Sequence, residues 1–512
     1  MATYEAGRPV PGIVGYNLEY VTQTHPLYQL YVPRWTYLGD AYAGGYDFYL
    51  GKYLEPYYYE STDDYMKRLR QVSLDNHVKS VVGIYASFLY RKEPKRDYGS
   101  LENDPNLQNF LMDADLDGRS FTQFMRDVAT MSMVYGNVWI AVDKPMSNAF
   151  TRADELDQGI RPYVQMFTPD NVLDWQYERT ESGLYRLTYV KVKEETQKNY
   201  TIIREYTLDT IRAFKIEVNS TDDPIMIMEQ PNELNMIPVC PVYAQRGNKR
   251  GIGISLVNDI ADVQRSIYEE YSEVEQIIRL TNHPALVKSR GTDASAGAGA
   301  VIQMEDGLDP GLKPYLLQPN GASIESVLSS ITKKVESIDR MASLGGIRSV
   351  ESRRLSGIGL QTEFQMLNSR LSDIALNLEH SEEMIWRMYA MYQDMRFDGY
   401  IEYPRSFSIQ DKANEVTMLK QAKEAKIMDP KINDALDKMI LETIVEDEDE
   451  VKEILQVEQQ PQVNMDTTQH PPVEDVNALV SHLREMVEQG YSDDQIKQLH
   501  PELARLFGND TQ

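Results

Sequence analysis

Apolar positions recur at helical spacing on both sides of a Gly- and Pro-rich segment in the C-terminal half of the chain. The stretch 251–283 predicts a helix of about 30 residues. Its apolar face carries Val257, Ile260, Val263, Ile267, Tyr271, Val274 and Ile278. The stretch 323–343 predicts a second helix, whose apolar face carries Ile324, Val327, Leu328, Ile331, Val335, Ile338 and Met341. Short strand patterns lie between the two, at 284–289, 300–304 and 313–318, so the predicted order is helix, small β insert, helix.

The strongest periodicity lies after residue 360. Apolar residues recur there every seven positions, at Phe364, Leu371, Leu378, Ile385 and Tyr392. A second apolar set lies three positions further on, at Leu367, Ile374, Met388 and Met395, and Ser381 interrupts it. The pattern predicts one continuous helix of about 35 residues, roughly 50 Å long. Its heptads are typical either of a coiled coil or of a long helix packed across several elements.

The first hundred residues are dominated by helical spacing. Breaks between helices are predicted at Pro33, Gly44, Gly45 and Pro56. The segment 61–94 predicts a single helix, capped by Ser61 or Thr62 and ended by Pro94.

Alternating patterns then become prominent. A helix is predicted to close at Gly136 and to be followed by a strand at 137–143. Between 161 and 243 the alternation of apolar and polar residues predicts antiparallel strands. The first 250 residues should therefore form an α+β body.

The last hundred residues carry weaker patterns. One or two strands are predicted near 400–410, and helices are predicted over 411–456. The Gln- and Pro-rich stretch 457–473 has no apolar period and is typical of a linker. A helical hairpin is predicted for 474–512.

Composition limits the surfaces that the chain can present. Lys and Arg number 52 against 79 Asp and Glu, which gives a formal net charge of −27. This balance argues against general coating of nucleic acid or binding to anionic membranes, so any nucleic-acid contact must be local. No signal-peptide pattern and no run of about 18 apolar residues occurs, so we expect a soluble, unexported protein. The single cysteine, Cys240, is expected to be a small buried side chain.

The sequence contains none of the common motifs for catalysis, metal binding or phosphate binding. HExxH, CxxC, GxSxG and GxxxxGK[ST] are all absent, and DADLDG at 113–118 is not a complete EF-hand loop, because Phe124 stands where that loop ends in Glu. GxG pairs at 251–253 and 357–359 precede predicted helices, but neither follows a strand of a βαβ unit. The histidines are scattered, and the acidic run 446–450 is typical of a solvated helix face. We therefore predict no catalytic residue, no metal ligand and no cofactor.

In order and spacing, these parts resemble a portal protein, the head-tail connector of tailed double-stranded DNA bacteriophages. The resemblance extends from HPLYQLY through MYAMYQD, which is most of the chain. In the N-terminal body it rests on the stretch from YLEPYYYESTDDYMKRLRQ to FLYRKEP and on MSMVYGNVWIAVDKP. In the middle it rests on GISLVNDIADVQRSIYEE to RLTNHPALV, the β insert, SIESVLSSITKKVESIDRMASLGG and the long helix.

The resemblance implies an α+β portal-protein fold with long stem and wing helices, a small β clip insert and a helical crown. Carried over part by part, it assigns 1–250 to an N-terminal wing, 251–283 to stem helix 1, 284–322 to the clip, 323–343 to stem helix 2, 344–360 to the channel loop, 361–410 to the long wing helix and strands, 411–456 to crown helices, 457–473 to a linker and 474–512 to a C-terminal helical hairpin. Stem packing would involve Ile260, Ile267, Val274, Val327, Ile331, Val335 and Ile338. Packing of the wing helix would involve Phe364, Leu371, Leu378 and Ile385.

The resemblance implies a structural subunit that is not an enzyme. Twelve copies would form a homo-oligomeric ring at the capsid vertex of the virion, around a channel for double-stranded DNA during packaging and ejection. The expected partners are the terminase large subunit, a head-tail adaptor and the major capsid or scaffold protein, with no membrane. The chain would be made in the host bacterial cytoplasm.

Positive charge concentrates in one segment of this acidic chain. Arg348, Arg353 and Arg354 stand against a single acid, Glu351, before Glu363. The resemblance assigns these arginines to the channel loop, where they would attract phosphates locally and exchangeably. Ion pairs with acids of a neighbouring subunit are an equal alternative.

Two other classes of protein stay open on the sequence alone. Carboxylates from separate elements can form a Mg²⁺-dependent site that processes nucleic acid without any local motif. Another non-enzymatic head or tail protein of a virion would also lack motifs.

Overall fold

The computed structural model describes residues 16–145, 151–282, 285–287, 309, 315–317, 322–345, 357–405, 407, 420 and 436–441. The chain divides into two compact units, 1–409 and 410–512. In the second unit, residues 436–441 are helical. The first unit combines helices with antiparallel sheets, which confirms the predicted α+β class.

The elements of the first unit follow the chain in this order. The helices are α1 (Leu18–Thr22), α2 (Pro26–Ala43), α3 (Gly45–Gly51), α4 (Thr62–Gln71), α5 (His77–Leu89), α6 (Leu107–Met112), α7 (Phe121–Tyr135), α8 (Arg152–Asp157), α9 (Asn258–Asn282), α10 (Ala322–Met341) and α11 (Gly357–Tyr392). The strands are β1 (Lys95–Asp97), β2 (Asn137–Asp143), β3 (Tyr163–Phe167), β4 (Val172–Arg179), β5 (Tyr185–Thr196), β6 (Tyr200–Thr207), β7 (Thr210–Glu217), β8 (Ile225–Pro231), β9 (Val239–Tyr243), β10 (Ala285–Val287), β11 (Tyr315–Leu317) and β12 (Tyr400–Glu402).

The strands pair antiparallel throughout the described sheets. The order β4-β5-β6-β7-β8 is a meander of sequential neighbours, whereas β2 lies between β3 and β9. β1 pairs with β12, and β10 pairs with β11. The predicted strand at 137–143 and the strands predicted between 161 and 243 are confirmed.

Two large apolar clusters join the helices and sheets of the first unit. The larger cluster links α5, α7, α9, α10 and α11, and Tyr85, Phe121 and Trp386 are fully buried within it. The second cluster surrounds Trp139 and Trp175 and joins the β3-β2-β9 sheet to the meander. Each such large side chain contributes about 1.5–3 kcal/mol by leaving water. The first half of α9 is therefore part of the body's own core.

The long helix α11 crosses several elements of the same chain. It packs against β2, β9, α5 and β12. Leu371, Leu378 and Ile385 are fully buried on this face, and Phe364 is half-buried. The heptad spacing thus corresponds to packing across the body, which was one of the two interpretations left open by the sequence.

Two predicted breaks differ from the structure. Pro33 does not end a helix but lies inside α2, because Trp35, Leu38 and Ala41 continue to pack on the core beyond the lost backbone hydrogen bond. The single helix predicted for 61–94 is two helices, α4 and α5. Asn76 begins the second by accepting a hydrogen bond from the Lys79 N–H at 2.8 Å.

Helix boundaries account for the other differences. Ser61 caps α4, as predicted, and Gly136 ends α7 at a φ of 93°, which favours glycine. The helix predicted from residue 251 begins at Asn258. The loop predicted for 344–360 ends earlier, since α11 already begins at Gly357. Within the β insert, 285–287 and 315–317 are strands, and the predicted strand at 300–304 lies outside the described residues, as do 457–473 and 474–512.

A buried ion pair holds α11 to the β1-β12 pair. The Arg96 Nε and Nη2 groups donate to the two carboxylate oxygens of Glu382 at 2.6 and 3.2 Å. Tyr403 and Trp386 donate to the same carboxylate at 2.6 and 3.3 Å. Burial opposes the charge of Arg96, but the carboxylate of Glu382 outweighs this effect and raises the pKa of Arg96. The cost of burying each charge is therefore offset only while both Arg96 and Glu382 are present.

A second polar cluster ties α1 to the meander. The Tyr20 hydroxyl donates to Glu205 Oε1 at 2.5 Å, and Lys191 Nζ donates to the Tyr20 carbonyl at 2.7 Å. Asp174 lies fully buried beside them. Burial raises the pKa of Asp174 to about 6, against the opposing effect of Lys191.

We predict that Glu382→Gln destabilises the protein by about 3–5 kcal/mol, because it leaves the charge of Arg96 buried without a counter-charge. Urea unfolding followed by circular dichroism measures the change. Glu383→Gln is the control on the same helix, since Glu383 pairs with the exposed Arg387 and should cost less than about 1 kcal/mol. Equal losses for the two variants would contradict the role of the buried pair.

We predict that Asp174→Asn stabilises the protein at pH 7 by up to about 3 kcal/mol and changes little at pH 4. The folded pKa lies above the unfolded value, so the unfolded chain ionises first as the pH rises. The stability contributed by protonated Asp174 is therefore present below about pH 4 and is lost between about pH 4 and pH 6. Thermal melts across this range measure the effect, and Glu217→Gln on β7, an exposed site, is the control. A gain that is independent of pH would refute the assignment.

Candidate functional site

The helices α9 and α10 form an antiparallel pair, named here the helical hairpin. Lys334 Nζ of α10 lies 2.8 Å from Glu270 Oε1 and 2.6 Å from Ser266 Oγ of α9. One turn away, the Ser330 hydroxyl donates to Glu270 at 2.7 Å. The strands β10 and β11 follow α9 and precede α10, and they pair with each other. The hairpin thus ends in a small antiparallel tip.

Polar side chains fix the first turns of α9 to the body. The Arg34 guanidinium donates to Asp262 Oδ1 at 2.6 Å and to Asn258 Oδ1 at 2.9 Å. Gln264 is fully buried, accepts from the Val78 N–H at 2.8 Å and donates to the Ala41 carbonyl at 3.2 Å. Its amide satisfies a backbone donor in the first turn of α5, which has no partner within that helix.

A third polar clamp holds the middle of α9. Arg68 of α4 is buried and donates to Ser272 Oγ at 3.1 Å. Its Nε and Nη2 groups donate to the Glu60 carboxylate at 2.8 and 2.6 Å, and these hydrogen bonds hold the pKa of Glu60 below its usual value. The guanidinium also lies 4.1 Å from the ring centroid of Tyr57. The first two thirds of α9 are therefore tied to the body by α2, α4 and α5.

Burial decreases along the helical hairpin towards its tip. The buried members of its apolar stripes are Ile260, Ile267, Val274, Ile331 and Ile338, and the half-buried ones are Val327 and Val335. Nearer the tip, Ile278 and Leu328 are each 42% exposed, and Tyr315 of β11 is 56% exposed. The apolar stripe thus extends to side chains that the described residues cover only in part.

The other features considered in the sequence are the three arginines, the single cysteine, metal ligands and membrane-spanning helices. Arg348, Arg353 and Arg354 lie outside the described residues. Cys240 is buried on β9, as expected. The described residues include no group of His, Cys, Asp and Glu side chains that could hold a metal ion. In the same part of the chain, no helix is long and apolar enough to cross a membrane.

The polar clamps on α9 were not predicted. Arg34, Arg68 and Gln264 contact partners that are 228, 204 and 186 positions away in the chain. Apolar periodicity reports which face of a helix is buried, but it carries no information on such distant polar partners.

No protein-family model and no curated protein matches the chain. Among solved structures, it is similar to a chain in the virion of a native gene transfer agent particle, at 10% identity and a TM-score of 0.39, covering 69% of this chain and 86% of that one. A chain in the neck of the empty particle, computed with C6 symmetry, gives 9% identity, a TM-score of 0.41, and coverage of 75% and 95%. A chain in the neck of the native particle, computed with C12 symmetry, gives 10%, 0.39, and coverage of 70% and 88%. At these values the likeness fixes neither fold nor function.

Proposed function

We propose that the chain is the subunit of a phage portal, a homo-oligomeric ring that forms the DNA channel at the capsid vertex of a virion. The observation that carries the proposal is the helical hairpin, whose apolar stripe continues to Ile278 and Leu328, which the described residues of its own subunit cover only in part. A neighbouring copy would cover this surface. The order of parts along the chain supports the proposal, since an α+β body is followed by α9, a small β insert, α10 and the long α11.

Within this proposal, α9 and α10 are the stem, and the insert around β10 and β11 is the clip. The body and α11 form the wing, and residues 411–456 form the crown. No ATP-binding motif occurs in the sequence, so a separate motor, the terminase large subunit, would drive translocation. A head-tail adaptor would replace the motor after packaging, and the capsid or scaffold protein would surround the wing.

The net charge suits a conduit for DNA. At −27 per subunit, the ring as a whole would repel the phosphate backbone and would not grip it. Arg348, Arg353 and Arg354 would supply a local band of positive charge in the channel loop. Attraction confined to one band allows DNA to be guided while it continues to slide.

We predict that Ile278→Asp combined with Leu328→Asp prevents ring formation but leaves the subunit folded. Both side chains are exposed within one subunit, so the monomer should lose less than about 1 kcal/mol of stability, whereas a charge placed in a repeated apolar interface is costly at every contact. Class-averaged electron micrographs of the purified protein, with thermal melts, measure both effects. The wild-type protein should show rings with a central hole of about the width of the DNA duplex.

The control for this variant is Met112→Asp on α6, a helix outside the hairpin, where the side chain is 71% exposed. It should leave the rings intact. Wild-type particles without rings would refute the proposed function. Digestion of DNA by the purified protein with Mg²⁺ would favour the enzyme class instead.

We predict that Arg348, Arg353 and Arg354 changed together to Gln leave ring assembly and melting temperature unchanged but lower DNA packaging or retention. The loss follows from removing the local attraction for phosphates. Packaged DNA per particle is the measurement. Rings that fail to form would favour ion pairs between subunits, and normal rings with full retention would contradict both interpretations.

A further inference from the structure

The segment 245–253, named here the basic loop, is held in one conformation by side chains from three elements. The Trp175 Nε1–H donates to the Arg250 carbonyl at 3.1 Å, and the Gly251 N–H donates to the Tyr243 hydroxyl at 3.1 Å. The Asn137 side chain bonds to the loop in both directions, as it donates to the Gly251 carbonyl and accepts from the Gly253 N–H. Gly251 has a φ of 81°, and a Cβ there would lie 2.4 Å from Trp175 Nε1. The backbone of the loop is therefore fixed by its surroundings.

Three exposed cations project from this fixed backbone, and each lies over a tyrosine ring. The distances to the ring centroids are 5.5 Å from Arg246 to Tyr243, 4.9 Å from Lys249 to Tyr31 and 3.4 Å from Arg250 to Tyr185. Contacts with aromatic faces reduce the number of conformations open to each cation.

None of the three cations lies within ion-pairing distance of a carboxylate in the part of the chain that the structure describes. By contrast, Arg34, Arg68, Arg96 and Arg204 are all paired with acids. A cluster of unpaired cations is unexpected in a chain with 79 acids and 52 basic residues. The basic loop is thus a preformed positive surface that contacts tyrosine side chains but has no carboxylate partner among the described residues of its own subunit.

A cavity that carries two carboxylates, named here the acidic cavity, lies at the first turn of α9. It has a volume of about 520 Å³ and is lined by residues that include Ile254, Asp259, Met341, Asp373 and Asn377. Asp259 and Asp373 are exposed, and neither forms an ion pair with a described residue. Arg370 also lines the cavity, where its guanidinium donates to the Met341 carbonyl at 2.6 Å. The cavity therefore presents two exposed carboxylates and one guanidinium beside an apolar wall, and Asp259 also accepts a hydrogen bond from the Asn258 amide at 2.9 Å.

The two surfaces adjoin one another but are formed by different elements. The cations of the basic loop rest on rings of α2, β5 and β9, whereas the cavity is formed by α9, α10 and α11. Gln245, at the base of the loop, also lines the cavity, so both surfaces adjoin the same extended segment. Opposite charges on two different patches of one subunit suit a head-to-tail contact, in which every copy uses both patches.

We propose that the basic loop of one subunit docks into the acidic cavity of the next copy of this chain. Arg246, Lys249 and Arg250 then face Asp259 and Asp373 of the neighbour, and Ile254 and Met341 supply the apolar contact. The proposal rests on the proposed ring, since it names the surfaces through which neighbouring subunits meet. A second copy is favoured as the occupant because the cavity of the same chain carries two exposed acids, Asp259 and Asp373, that form no ion pair with a described residue.

Charge exchange tests this contact. The loop variant carries Arg246→Glu, Lys249→Glu and Arg250→Glu, and the cavity variant carries Asp259→Lys and Asp373→Lys. Each variant alone brings like charges together at every contact, so we expect ring formation to fall at least tenfold in sizing chromatography with light scattering. An equimolar mixture should restore rings, because alternating copies again bring opposite charges together at each contact.

A matched control separates this effect from net charge. Arg91→Glu, Lys92→Glu and Lys198→Glu change the charge as much as the loop variant does, at exposed positions that belong neither to the basic loop nor to the lining of the cavity. This control should assemble as the wild-type protein does. Thermal melts of the three variants show whether each subunit stays folded.

The outcomes distinguish this proposal from the proposed function. Wild-type rings that persist in both charge variants would overturn the contact and leave the portal function standing, whereas a wild-type protein without rings would remove the function itself. Failure of the mixture to assemble, with both variants folded, would also overturn the contact. Normal assembly of the loop variant with weaker binding to a labelled DNA duplex, measured by fluorescence anisotropy, would assign the loop to nucleic acid instead.

Discussion

The attachment of α9 to the body is the constraint on which the rest of the described structure depends. Gln264 satisfies backbone groups of α2 and α5, Arg34 reaches from α2, and Arg68 reaches from α4. Beyond Ser272 the helix continues beside α10 towards the β tip, and the Arg279 guanidinium still donates to the Gln71 side chain of α4. They also fix the start of α9, which adjoins both the basic loop and the acidic cavity. The helix is thus part of the core at one end and a projecting element at the other.

The pairing of charges differs between the interior of the body and its surface. Inside the body, guanidinium groups such as that of Arg96 are matched by carboxylates, because a buried charge without a partner is costly. At the surface, the excess of acids leaves most carboxylates to water. The exposed cations of the basic loop depart from this pattern. Neutral groups hold these cations in place, namely the tyrosine rings beneath them and a backbone fixed by hydrogen bonds.

Sequence reasoning recovered the elements that depend on local order. The helices α9, α10 and α11, and the strands between 161 and 243, follow directly from the spacing of apolar residues, and Ser61 and Gly136 marked two helix ends correctly. The predicted helix break at Pro33 was wrong, because packing further along α2 outweighs one lost hydrogen bond. The clamps on α9, the buried carboxylate of Glu382 and the tyrosine rings under the basic loop join distant parts of the chain. Their formation depends on the tertiary fold, which periodicity does not encode.

The fixed backbone of the basic loop bears on how many copies a closed ring would contain. Neighbouring subunits in a ring of twelve are rotated by about 30°, and in a ring of thirteen by about 28°. A contact segment with free torsions would absorb so small a difference, and rings of mixed size would result. Side chains of Asn137, Trp175 and Tyr243 remove that freedom here. The fold of each subunit would then determine the angle between adjacent copies before any two of them meet.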